Sequence, residues 1–285
     1  MANASIPTVR SRRLGRTLRR FREERSLTLE EAGALMERSV SSLSKIENGR
    51  VRIPSRDIRV ILDVYGVVDE RIRETLVDLA RDSHKRGWWR GYGDVLSWAY
   101  LDFISLEADA AAVRNFEIIL IPGLLQTADY ARAIMDALPA SCGRQDIEQL
   151  VDVRIKRQQV LYGASPLHLW AIVDEAALHR HFGGRETMRA QLHALVEAAR
   201  LENVTVQVLP FGGGAYSAVD GAFTILEFSE ISDLDVVLVE NLTSGLYMEE
   251  DEEVRQYNVV FDHLRASALS VPDSLALIEQ VVNNL

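Results

Sequence analysis

The chain has a single cysteine, Cys142, so it can form no intramolecular disulfide and cannot build a zinc site from thiolates. A reducing, cytoplasmic setting is expected. Long apolar runs are missing as well. None approaches the roughly 18 residues of a membrane-spanning helix, and no membrane span is expected. The basic stretch from Met1 to Arg13 lacks the apolar core and small-residue cleavage site of a secretory signal, so none is predicted there. What remains is an ordinary globular composition, 47% hydrophobic and 26% charged. The 285 residues suffice for two domains, because single cores stop growing near about 250 residues.

Charge is distributed unevenly. Residues 1–90 carry 20 Lys and Arg against 13 Asp and Glu, a balance of +7, whereas residues 91–285 carry 12 against 29, a balance of −17. The net charge of −10 therefore hides a basic end that a polyanion can approach and an acidic body that it cannot.

The basic end reads as five short helices. Leu14, Leu18 and Phe21 recur at helical spacing in an Arg-rich segment, which predicts an amphipathic helix over 12–24. Thr28-Leu29-Glu30-Glu31 is a capping box that opens a second helix. Gly33 inside that helix costs about 1 kcal/mol relative to Ala and is tolerated where another element approaches closely. Ser39 is the N-cap of a third helix that buries Leu43 and Ile46 and stops at Asn48-Gly49. Its outward face, Val40, Ser41, Ser42, Ser44 and Lys45, is small and uncharged at the leading end, as a helix entering a groove needs. Ile58, Ile61, Leu62 and Tyr65 mark a fourth helix after Pro54, and Ile72, Leu76 and Leu79 a fifth after Asp69.

Thr28 to Gly33, followed by Ser39 to Arg50 with its Glu47-Asn48-Gly49 ending, resembles the lambda-repressor/Cro-like (XRE) class of helix-turn-helix regulators. The resemblance implies that Glu47 and Asn48 organise the end of the recognition helix while Ser39 to Lys45 face DNA. Two positions depart from it. Leu29 stands where the class usually has Gln, and Glu37-Arg38 replaces a Gly-apolar pair, which predicts a strained turn. Double-stranded DNA is the expected partner. Base readers are Val40, Ser41, Ser42, Ser44 and Lys45. Phosphate contacts are assigned to Arg13, Arg16, Arg19, Arg20, Arg50 and Arg52, with Thr28 and Ser39 opening helix N-termini toward phosphate oxygens. Arg10 and Arg12 are expected to form a flexible arm. One module covers one half-site, so a homodimer is implied.

Gly87-Trp88-Trp89-Arg90-Gly91-Tyr92 interrupts the helical pattern where the charge flips, which sets domains at 1–86 and 87–285. The second is predicted to be α+β, or mixed α/β. Strands are expected over Leu167–Val173, Val204–Leu209, Phe223–Phe228 and Val236–Glu240. Helices are expected after the Pro122–Thr127 string, over 146–162, around Met188–Ala199 and over Val254–Ala268. Gly87-Trp88-Trp89, Pro122 to Thr127 with Tyr130-Ala131-Arg132-Ala133, Asp174 to Leu178 and Val206 to Phe211 resemble a C-terminal domain of unknown function. That domain follows XRE modules in actinobacterial, WhiJ-like regulators. The resemblance implies an antitoxin-like regulator that binds a small partner protein, and the balance of −17 in the acidic half points to a basic one. The alternative is a small-molecule pocket near the Pro122 loop and the tryptophans.

Signs of catalysis are sparse. Asp174 and Glu175 are adjacent and diverge, His179 and His181 lack a third ligand in sequence, and Gly212-Gly213-Gly214 has no following Lys-Ser/Thr, so it reads as a flexible hairpin loop. No enzyme activity, cofactor or metal is expected.

Overall fold

Short polar residues open the helices of the N-terminal unit. Thr8 caps α1 (Val9–Glu24) by accepting from the Ser11 amide, and Thr28 caps α2 (Leu29–Leu35) in a complete capping box with Glu31. Ser39 opens α3 (Val40–Glu47), accepting from the Ser42 amide at 3.2 Å. Pro54 precedes α4 (Ser55–Val64), and the Asp69 carboxylate accepts from the Arg71 amide at 2.9 Å ahead of α5 (Glu70–Asp82). Helices α3 and α4 both end on a glycine in the left-handed region, Gly49 at φ +65° and Gly66 at φ +67°. After α3 the Gly49 amide donates to the Ile46 carbonyl (2.9 Å) and the Arg50 amide to that of Lys45 (2.8 Å), which stops the helix cleanly.

This computed structural model describes residues 8–51, 53–82, 87–137, 144–214, 216–218, 221–228, 234–241 and 245–285. It divides into one unit of Met1–Gly87 with Glu230–Leu234 and another of Trp88–Ser229 with Asp235–Leu285.

The second unit begins with a 3-10 turn, Trp88–Tyr92, followed by α6 (Trp98–Glu107), β1 (Ala112–Glu117), α7 (Ala128–Asp136), α8 (Arg144–Arg157) and β2 (His168–Asp174). It continues with α9 (Glu175–His179), α10 (Arg185–Ala198), β3 (Val204–Leu209), β4 (Phe223–Glu227), β5 (Val236–Glu240), β6 (Gly245–Met248), α11 (Asp251–Ser267) and α12 (Val271–Asn284). The strands form one sheet in the order β3-β2-β1-β4-β5-β6. Helical crossovers return the chain in the same direction, so β1, β2 and β3 are parallel, and β4, β5 and β6 complete the sheet antiparallel. The fold is a helical N-terminal region followed by a mixed α/β domain. No helix among the described residues is long and apolar enough to cross a membrane.

Register assigns each residue of the sheet to a face. Phe116, Ile172, Phe223, Ile225 and Val237 share one face and pack with Val254, Phe261 and Leu264 of α11. On the opposite face, α6 and α8 help enclose two adjoining cavities of about 80 and 440 Å³, which share Tyr100, Phe103, Arg154 and Glu240 in their walls. Trp89 and Tyr92 pack against Leu96, Ile104 and Val153, so this part of the tryptophan motif belongs to the second unit's core.

Three expectations change. Strands β1 and β6 and helices α6 and α12 were not foreseen, and α1 starts at Val9 rather than Arg12. Gly212–Gly214 is not a hairpin loop, because β3 and β4 are not neighbours. The segment instead leaves the sheet's edge and crosses to β4 beside β1.

That edge is closed by side chains and by the α11–α12 connection. The Val208 amide donates to the Ser274 hydroxyl at 2.9 Å, the Leu269 amide donates to the Val208 carbonyl at 2.9 Å, and Gln207 Nε2 donates to the Leu269 carbonyl at 2.7 Å. Ser274 is fully buried, so no water can replace its oxygen. Ser274→Ala is expected to cost about 1–3 kcal/mol through the orphaned Val208 amide, read as a lower denaturation midpoint. A midpoint equal to that of the parent would show that the edge does not need this acceptor.

Candidate nucleic-acid interface

The placement of α3 begins with a buried ion pair. Arg22 of α1 and Glu47 at the end of α3 are joined bidentately, Nε to Oε1 at 2.8 Å and Nη2 to Oε2 at 3.0 Å, with both side chains nearly buried. Arg22 Nη1 also donates to the Leu27 carbonyl at 2.7 Å, and the Tyr65 hydroxyl donates to Glu47 Oε1 at 3.3 Å. Hydrogen bonding to Glu47 holds the Arg22 guanidinium above its ordinary pKa. Burial raises the Tyr65 phenol, so it and the Arg22 guanidinium both keep their protons across the working pH range.

Close backbone approach completes the joint. A Cβ added at Gly15 would stand 2.4 Å from the Glu47 carbonyl oxygen, and one at Gly49 would stand 2.6 Å from the Ser11 carbonyl carbon. Only glycine lets α1 lie this near the end of α3. Gly33 has a similar role in α2, where an added Cβ would meet the Arg38 carbonyl oxygen at 2.7 Å. The expected strain in the turn is present, since Glu37 is held at φ +53°. The turn is tied down on either side by the Arg38 amide donating to the Gly33 carbonyl at 2.8 Å and by an Arg38–Asp57 ion pair.

With Leu43, Ile46 and Glu47 buried, α3 turns its other face outward: Ser39, Val40, Ser41 and Lys45 are exposed, and Ser42 and Ser44 half-buried. Asn48 Nδ2 donates to the Ser44 carbonyl at 2.7 Å and ties off the helix end. Arg50, just beyond, is exposed. On α1, Arg19 is exposed and paired with Glu23 (2.7 Å), Arg20 is paired with Glu24 (3.4 Å), and Arg16 is half-buried. The Thr28 and Ser39 hydroxyls are engaged in their own helix caps, so a phosphate would meet first-turn amides there rather than side chains.

Other assignments fare differently. Arg13 is only 2% exposed. It lies on a row with Arg10 and Thr17 that is buried beside the Leu14–Leu18–Phe21 stripe, so its guanidinium is not displayed to a phosphate. Arg10 and Arg12 lie in the first turn of α1, with Arg10 buried, and so do not form a flexible arm. Arg52 and Cys142 lie outside the described residues. Arg22 is the residue that sequence reasoning missed. Its position four residues after Leu18, on the buried stripe, was the available signal.

In the C-terminal unit Asp174, Glu175 and His179, all weighed for catalysis, have structural partners. The Asp174 carboxylate caps α9, accepting from the Ala176 amide at 2.8 Å, and Glu175 accepts from the Phe211 amide at 2.8 Å. His179 lies 3.4 Å from Glu175 and stacks on Phe211.

Residues 13–75 match a family model described as a helix-turn-helix domain, and residues 100–280 match one described as a domain of unknown function, DUF5753. No curated protein and no solved structure matches the chain.

Two substitutions probe the joint from opposite sides. Gly15→Ala is expected to destabilise the N-terminal unit by about 3 kcal/mol, since a backbone carbonyl occupies the space. Glu37→Gly should relieve left-handed strain and gain up to about 1 kcal/mol after the cost of glycine's freedom in the unfolded chain. Denaturant titration followed by far-ultraviolet circular dichroism reads both, and shifts of the same sign would contradict the geometry.

Proposed function

Because the chain belongs to the DUF5753 family and carries a helix-turn-helix domain ahead of that region, we propose that it is a sequence-specific transcriptional regulator that reads double-stranded DNA with α3 as its recognition helix. The observation that carries this is the outward face of α3: Val40, Ser41 and Lys45 are exposed while a buried joint fixes the helix from behind. In the XRE-like docking mode Val40 meets a thymine methyl, and Ser41, Ser42 and Ser44 make adaptable hydrogen bonds to base edges, with Lys45 behind them. Arg16, Arg19, Arg20 and Arg50 grip phosphates, joined by Lys45 at the trailing end of α3. The exposed Arg19–Glu23 pair is worth little in water and is readily exchanged for a phosphate contact. The first-turn amides that follow Ser39 lie at the positive end of the α3 dipole.

On this reading residues 1–86 bind DNA as one half of a homodimer, and residues 87–285 receive a signal. The balance of −17 over residues 91–285 favours a small basic partner protein, the antitoxin-like arrangement. A small-molecule signal is favoured by a different observation, the adjoining cavities of about 80 and 440 Å³ lined in part by Pro122, Gly123 and Leu124.

Binding-site selection from random duplexes with the purified chain tests the central reading. Enrichment of a paired motif with half-sites about one helical turn apart is expected, and an unenriched pool would defeat it. Lys45→Ala with Arg50→Ala should weaken binding to every sequence and reduce the slope of log affinity against log salt by roughly two. An unchanged slope would remove both residues from the phosphate contacts.

A further inference from the structure

On the sheet face turned away from α11, an otherwise apolar surface is broken by a polar patch. Register pairs Asn115 of β1 with Thr224 of β4, and Thr224 with Leu238 of β5. Glu117 and Glu240 each lie two residues further along β1 and β5, on the same face and at the same end, separated by the width of β4. Asn115 is 7% exposed and lines the smaller cavity. Its Nδ2 donates to Thr224 Oγ1 at 2.9 Å and to the Phe223 carbonyl at 3.4 Å, which fixes the orientation of the amide. Among the described residues its Oδ1 has no hydrogen-bond partner. A buried acceptor left open in this way costs stability unless something fills it.

The charges around the smaller cavity do not balance. Glu107 is closed off by Arg157, Nε to Oε1 at 2.9 Å and Nη2 to Oε2 at 2.6 Å. That leaves Glu117 and Glu240 facing Arg154, whose Nη1 donates to Gln126 Oε1 at 3.1 Å. Burial, reinforced by the Glu240 charge and opposed by Asn115 and Arg154, pushes the Glu117 carboxyl up to about 7. Near neutrality that carboxyl is therefore only partly ionised. The larger cavity continues from this patch and is walled largely by apolar side chains, Leu96, Ile134, Met135, Leu150, Leu238 and Tyr247.

We propose that the C-terminal domain binds a small organic cation, a primary ammonium on an apolar body, with the ammonium held by Asn115 Oδ1, Glu117 and Glu240 and the body in the larger cavity. A primary ammonium has three N–H donors for these three acceptors, and the apolar wall rewards burial of the attached carbon chain. The proposal supplies the chemistry of the small-molecule signal and rests on that second reading.

Isothermal titration of the full chain, without DNA, with hexylammonium, hexanol and hexanoate as probes tests it. Hexylammonium should bind saturably at one per chain and at least about tenfold more tightly than hexanol, with hexanoate weakest. Alkylammonium ions stay charged to about pH 10, so hexylammonium affinity should rise with pH through the Glu117 titration near 7. The groups facing that carboxyl are Asn115 on its own strand, Glu240 on β5, Arg154 on α8 and Tyr130 on α7, whose phenol is pushed up to about 12. Glu117→Gln, which resembles the protonated acid and should leave the melting temperature unchanged, is expected to lower hexylammonium affinity about tenfold and flatten the pH profile. Hexanoate binding as tightly as hexylammonium, no saturation by hexylammonium, or parental affinity and pH slope in Glu117→Gln would each overturn the proposal. The three-probe comparison needs no variant. With DNA absent, its failure leaves the role of α3 standing, and a failed site selection leaves the cavity result standing.

Discussion

The bidentate contact between Arg22 and Glu47 is the constraint on which the N-terminal unit turns. Two opposite charges taken out of water repay their desolvation only where geometry is good and the remaining donors and acceptors are occupied. Here Tyr65 and the Leu27 carbonyl occupy them. The pair joins the last turn of α1 to the last residue of α3, and the glycines at 15 and 49 let the two backbones close beside it. A hydrophobic contact could hold α3 in place but would leave its rotation loose. A planar guanidinium on a planar carboxylate fixes that rotation as well, and so decides which residues of an eight-residue helix look outward.

The C-terminal sheet divides its labour between faces. Against α11 it presents Phe116, Ile172, Phe223 and Ile225, a dry surface that accounts for its cohesion. The other face gives up apolar contact at Asn115, Thr224 and Glu117 in the middle of the sheet, where β1 is flanked by β2 and β4. Polar residues there are held by neighbours on every side, which is how a fold keeps hydrogen-bonding groups aimed at a cavity without letting them collapse onto each other.

Much of the architecture could be read in the residues. Thr28 with Glu31, Ser39, and Asn48-Gly49 announced the limits of α2 and α3 because capping chemistry is local. The β-branched runs of β2, β3 and β5 announced themselves by composition. Strand β1 escaped because Arg114 and Asn115 sit in its centre, and those polar side chains answer to Glu227 and Thr224 more than a hundred residues away. Helix α6 escaped because Tyr100, Leu101, Phe103 and Ile104 place apolar residues on more than one side of it and leave no periodic contrast. Arg13 was misplaced for a related reason: a stripe drawn through Leu14, Leu18 and Phe21 says where burial is centred but not how wide it runs. The polar patch under α6 and α8 was out of reach altogether, since its members come from three strands and two helices.

The closure of β3 by Ser274 and Leu269 has a consequence for how copies of this chain can meet. A sheet normally has two margins open to strand addition, and a molecule open at both can propagate without limit. At β3 the outward amide and carbonyl of Val208 are already bonded to Ser274 and Leu269, so a foreign strand laid along this margin has to displace the chain's own contacts, and edge-to-edge growth through β3 is disfavoured at that rung.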